Sequence, residues 1–263
     1  MDLSIIIADW PYDEDEDANN VRKVLGIDGL MKVQVRIRGG ALQWDADGRP
    51  DGRKPHGFPS VLDCCSDLVS RKGRPAPPAE GAESGLSAEL TEELAQELFD
   101  YYRRGRALFL LGDYRRALGD ALHNLRILKL MRDNCPDAGA VFRHDRYRPS
   151  LLVDRARAEM LLNVQGGEVR RALDALNRGI RDIEGFYVEY ELEERLNDSP
   201  ERQILVDLRR SLRERHNVPL NDEELLHSLK VEQEIAIRRE NYEMAARLRD
   251  KINSLRQRTS SKE

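Results

Sequence analysis

The chain has 263 residues, enough for one large domain or two to three small ones with a real core. Its residues are 40% hydrophobic, 35% charged and 6% aromatic, with a mean hydropathy of −0.65, a mix that suits solvated amphipathic helices and argues against a β-rich fold. A net charge of −5 argues against a dedicated nucleic-acid binder, and no apolar run reaches the roughly 20 residues that span a bilayer.

The expected fold is mainly α, with a small β-hairpin-containing N-terminal module over 1–69. The start, MDLSIIIADWPYDEDED, lacks the basic residues of a secretory signal. Cys64, Cys65 and Cys135 have neither zinc-site nor disulfide spacing, so buried structural thiols in a cytoplasmic protein are expected. The stretch Lys32 to Arg38 alternates apolar and polar residues, placing Val33, Val35 and Ile37 on one face. Gly39-Gly40 and then Ala41 to Trp44 complete a hairpin, and Ile5-Ile6-Ile7, Trp10 or a helix over Ser60 to Val69 would cover it.

The loop Asp45 to Gly57 holds Asp45, Asp47 and Asp51 beside glycines. It lacks the closing carboxylate of a calcium loop and carries Arg49 and Arg53, so turn chemistry explains it and no metal or cofactor is expected. Arg49, Arg53 and Lys54, with Arg71, Lys72 and Arg74, form the one basic cluster that offers nucleic-acid binding as an alternative. Residues 70–86, rich in Pro, Gly and Ala, read as a flexible linker.

From Ser87 the pattern is helical. Leu90, Leu94, Leu98 and Tyr101 share a face, followed by Gly105-x6-Gly112-x-Tyr114-x2-Ala117 and a helix with Leu118, Leu122, Leu125 and Leu128. This resembles the first half of a tetratricopeptide repeat (TPR), and Leu151 to Val164, Gln165-Gly166-Gly167 and Val169-x2-Ala172 echo it weakly after an irregular stretch, Asp133 to Arg148. Helices over Ile183 to Leu196 and Ser199 to His216, the latter with a Ser199-Pro200-Glu201 start, complete a TPR-like helical domain over 87–217.

Residues 218–257 form two short amphipathic helices, with a tail at 258–263. Asn221 caps the first, whose apolar face holds Leu226, Leu229, Gln233 and Ile237. Polar Arg238-Arg239-Glu240-Asn241 makes the turn, and Ala245, Leu248, Ile252 and Leu255 repeat along the second, which starts near Tyr242. The string Glu240-x-Tyr242-Glu243-x-Ala245-Ala246-x-Leu248-Arg249-Asp250-x-Ile252-x2-Leu255 resembles the UVR motif shared by the repair proteins UvrB and UvrC and by some Clp ATPases and adaptors. The segment from Trp10-Pro11-Tyr12 to Pro55-His56-Gly57 is similar to bacterial proteins of uncharacterised function that also end in this motif.

The motif implies protein–protein contact, with a second copy or another protein, through Leu226, Leu229, Ile237, Tyr242, Ala245, Ala246, Leu248, Arg249, Asp250, Ile252 and Leu255. The rival reading is that the hairpin simply folds back on its own chain, because an apolar seam says only that something covers it. No P-loop, G-x-S-x-G, H-E-x-x-H or C-x-x-C is present; the missing P-loop excludes helicase chemistry, and the missing cysteine pairs separate the chain from the zinc-bearing UVR adaptors. His144-Asp145 is the most suggestive acid–base neighbour pair, with a polar loop as the simpler account. The dense arginines Arg103, Arg104, Arg115, Arg116, Arg170 and Arg171 read as solvated helix faces. The expected function is a non-enzymatic scaffold or adaptor; the alternative is a DNA-repair-associated nucleic-acid binder.

Overall fold

The computed structural model describes residues 8–72, 86–219, 225–226, 229–230, 232–233, 236–237 and 240–260. Two compact units result, Met1–Arg209 and Arg210–Glu263. The Ile5-Ile6-Ile7 run, the Asn221 cap, Arg74 and most of the expected linker lie outside the described residues.

Three antiparallel strands, β1 (Val21–Leu25), β2 (Met31–Ile37) and β3 (Gly40–Asp45), pair in the order β1-β2-β3. The expected hairpin is β2–β3, with Val33 opposite Trp44 and Ile37 opposite Gly40. The added strand β1 pairs Val21 with Val35 and Leu25 with Met31. Both faces of β2 are occupied, which alternation alone does not reveal. Val33 is fully buried among Val21, Ala46, Ala107, Leu108 and Ala117. On the opposite face Lys32 pairs with Asp28 and Asp45, Gln34 bonds Arg22 and Gln43, and Arg36 donates to the carbonyls of Trp10 and Gly40. Ile37, expected on the covered face, is 41% exposed.

Helix α1 (Val61–Lys72) carries the chain past the expected boundary at 69. It does not cover the sheet's apolar face; α2 (Ala88–Leu110) and α3 (Tyr114–Asn134) do, through Ala107, Leu108 and Ala117. The sheet and these helices share one compact unit. Ser87 caps α2 and Asp113 caps α3, each accepting a backbone N–H from the first turn. Gly112, at φ +70°, makes the turn, and Gly105 permits close approach, since a Cβ there would meet that of Asp120 at 3.2 Å.

The stretch Asp133 to Arg148 is not irregular: α4 (Ala138–Asp145), capped by Asp137, occupies it. Next come α5 (Arg148–Gln165) and α6 (Val169–Glu189). Their turn closes as the first does, with Glu168 N–H donating to the Asn163 carbonyl as Asp113 N–H donates to that of Leu108. Helix α6 is continuous through Ile183, where a new helix was expected, and a short 3₁₀ segment, Glu193–Asp198, precedes α7 (Pro200–His216). Ser199 caps α7 by accepting from Arg202 N–H at 3.2 Å. The main apolar core joins Val61, Leu62 and Cys65 of α1 to Leu94 and Leu98 of α2, Ile127, Leu128 and Met131 of α3 and Leu151 of α5. Cys64 and Cys65 are buried free thiols, and burial pushes Cys65 up to about 12.

Candidate functional site

In the C-terminal unit the described residues between 225 and 237 are helical, and α8 runs Tyr242–Ser260. The turn between them is built from Glu240, at φ +58°, and Asn241, whose N–H donates to the Ala236 carbonyl at 2.9 Å. Asn241 then caps α8, its Oδ1 accepting from Met244 N–H at 3.1 Å.

Leu229, Ala236, Ala245, Leu248, Ile252 and Leu255 bury one another, with Leu225 and Leu226 packed at the edge. Gln233 Nε2 donates to the Ala245 carbonyl at 3.3 Å across the seam. The seam that was expected to meet a partner is thus closed by the hairpin itself. Small side chains at Ala236 and Ala245 bring the two helices together, and what faces solvent is different. Ile237 is 49% exposed, Tyr242 69% and Met244 49%, all at the turn end. Ala246 is half-buried, while Arg249 and Asp250 are exposed and bond to each other at 3.1 Å.

The described members of the basic cluster do not come together. Arg49 turns inward, 3.2 Å from Asp51 and 3.5 Å from the buried carboxylate of Glu97. Arg71 pairs with Asp67 one turn earlier on α1, so of the cluster's described side chains Arg53 and Lys54 stay exposed and without a carboxylate partner among the described residues; the Lys72 side chain, like Arg74, lies outside them. The aspartate loop is a latch rather than an ion site: Asp45 pairs with Lys32, Asp47 with Arg116 at 2.8 Å and Asp51 with Arg49. Among the described residues no group of three or more His, Cys, Asp or Glu side chains is placed to hold a metal ion.

Arg104, read as solvated, is 3% exposed. It grips Asp120 through two hydrogen bonds of 2.9 and 2.6 Å and donates to the carbonyls of Asp45 and Gly48, fastening the latch to α2 and α3. Glu97, fully buried, accepts the N–H groups of Val61 and Leu62 at the start of α1, and His123 Nε2–H donates to it at 2.9 Å while stacking on Tyr101. Burial raises the Glu97 carboxyl, but these donors outweigh it and hold the group below the ordinary glutamate value. Both were missed in the sequence, though a signal existed: Glu97 and Arg104 interrupt the stripe Leu94, Tyr101 and Leu108 at helical spacing, and a charge on a buried face requires a partner.

His144 and Asp145 diverge. Asp145 is fully buried and accepts from Arg132 at 2.8 Å and from the Tyr190 hydroxyl at 2.7 Å, and it also pairs with Arg148. His144 instead lines a cleft of about 420 Å³ between α2, α4 and the start of α5, with Leu98, Phe99, Tyr102, Tyr147 and Leu151. Burial lowers its pKa. No sequence pattern marked this cleft, because its aromatic residues come from two segments separated by α3 and α4.

The fold and these surfaces define a mainly helical protein with a small antiparallel sheet and a self-closed C-terminal helical hairpin. Residues 223–258 match the family model described as the UvrB/uvrC motif, so the hairpin is a UVR motif. No curated protein and no solved structure matches the chain. Among the described residues no helix is long and apolar enough to cross a membrane.

Proposed function

We propose that this chain is a non-enzymatic scaffold or adaptor that docks on another protein, or on a second copy, through its UVR hairpin and helical body. The observation that carries this reading is the self-closed hairpin with three apolar side chains left in solvent at its turn. Ile237, Tyr242 and Met244 stand outside the buried seam at the turn end, and their exposure there supports a contact surface at the turn. In the repair proteins the same motif serves protein–protein contact. The α2–α3 and α5–α6 pairs, closed by the same turn, support a TPR-like body that offers further contact surface.

The test compares partner capture and oligomer size for the full chain and for Ile237→Asp and Tyr242→Ala. Loss of capture with an unchanged helical spectrum is the expected result; unchanged partners and oligomer size would count against docking through the turn. Leu248→Asp, which buries a charge in the seam, is a control for hairpin folding and not for docking. The motif's occurrence in repair proteins supports a second reading, nucleic-acid association, with Arg53 and Lys54 as contacts. It requires steeply salt-dependent DNA binding, and no binding at low salt removes it.

A further inference from the structure

We propose that the cleft between α2, α4 and α5 is a docking groove for an acidic peptide segment that inserts one bulky apolar side chain. The proposal deepens the scaffold reading by giving the helical body a partner class, and it uses no residue of the UVR hairpin.

The cleft's volume of about 420 Å³ lies within the size range of ligand pockets. Its walls leave apolar surface in water, with Phe99 44% and Tyr147 51% exposed. Around them stand three arginines tied to lining residues. The Arg103 guanidinium lies 4.2 Å over the Phe99 ring. That of Arg146 lies 4.8 Å over Tyr147 and donates to its hydroxyl at 2.6 Å. Arg143 lies close enough to His144 to act on the imidazole electrostatically.

None of the three forms an ion pair within 4 Å among the described residues, although Arg103 is close enough to Asp100 to act on it electrostatically, whereas Arg104, Arg116, Arg132 and Arg148 are all paired. The opposing charges are Glu92 in the cleft wall and Asp100, which accepts from Gln96 at 3.4 Å. The rim is cationic in a chain whose net charge is −5, and it is complementary to carboxylates flanking an apolar anchor.

Arginine beside aromatic rings also fits single-stranded nucleic acid, but here guanidiniums already cover a face of Phe99 and of Tyr147, where a base would stack. That coverage favours the peptide.

The test pans a phage-displayed random-peptide library on the full chain and measures the selected peptides by fluorescence anisotropy. Enriched sequences are expected to place Asp or Glu around Phe, Leu, Met or Trp. Their affinity should fall about tenfold or more when Arg103→Glu and Arg146→Glu are combined, and also with Phe99→Ser. All three side chains are exposed, and a thermal melt checks that the fold survives. Ile237→Asp should leave peptide binding intact even where it abolishes hairpin docking, so each reading can fail alone. No enrichment of acidic peptides, enrichment insensitive to the arginine reversals, or peptide binding lost with Ile237→Asp would overturn the assignment. Oligo(dT) that binds with the same arginine dependence and displaces the peptide would overturn it in favour of nucleic acid.

Discussion

In the helical body Glu97, Arg104 and Asp145 are each at most 3% exposed and tie together segments remote in sequence, whereas the seam of the hairpin is a strip of Leu, Ile and Ala. The hairpin's ion pairs, such as Arg247–Glu243, lie in solvent. The body gains a unique arrangement by burying charges that accept only one set of partners, and a mispaired helix would strand a carboxylate or guanidinium. The hairpin gains its arrangement from local periodicity, and among its described residues the buried seam carries no charge.

The largest effects should come from breaking the buried charges. Arg104→Met leaves Asp120 buried without its cation and frees the carbonyls of Asp45 and Gly48; denaturant unfolding should show a loss of about 3–5 kcal/mol. Glu97→Gln presents an NH₂ group to the donors of Val61, Leu62 and His123 and should cost a similar amount. It also has a pH signature. Because the folded Glu97 carboxyl lies below its unfolded value, its contribution is complete above the unfolded pKa, roughly pH 5 and upward, and is lost as pH falls through the folded pKa. Asp47 and Asp113 are depressed too and add to the same acid loss. The Gln variant should therefore show a flatter stability profile in acid than the parent.

A cut in the hairpin should be smaller and confined to its own unit. Leu248→Ala should lower the hairpin's stability by about 2–4 kcal/mol, read as faster amide exchange along α8 with protection in α2 and α3 unchanged. Equal loss of protection in both would show that the two regions are not independent in the way their cores indicate. Smaller still, Glu240→Gly relieves a left-handed residue at the turn and should stabilise the hairpin by about 1 kcal/mol, a rise in its melting temperature. Least of all, Arg247→Ala removes an exposed pair and should change stability by no more than about 0.5 kcal/mol.

How far each region could be read in advance follows from the same contrast. The turn at Glu240 and Asn241, the start of α8 at Tyr242 and the seam residues Leu229, Ala245, Leu248, Ile252 and Leu255 were all visible, because each depends on neighbours within one or two helical turns. The same holds for the Ser199 cap and the β2–β3 hairpin. Strand β1 was missed because Val21 to Leu25 becomes a strand only beside β2. Helix α4 and the continuity of α6 were missed because polar residues blur a period that tertiary burial restores.

By itself the sequence determined the helical class, the turns, the apolar stripes and the UVR motif, since these rest on local spacing and backbone preference. Tertiary structure alone decided what each stripe meets. It closed the hairpin seam on itself and moved the exposed apolar surface to Ile237, Tyr242 and Met244. It turned Arg49 and Arg104 from surface charges into anchors and brought Phe99 and Tyr147 to one cleft. The physical reason is that a period states which side chains share a face, while a partner such as the Asp45 carbonyl for Arg104, 59 residues away, is chosen by the packing of the whole unit.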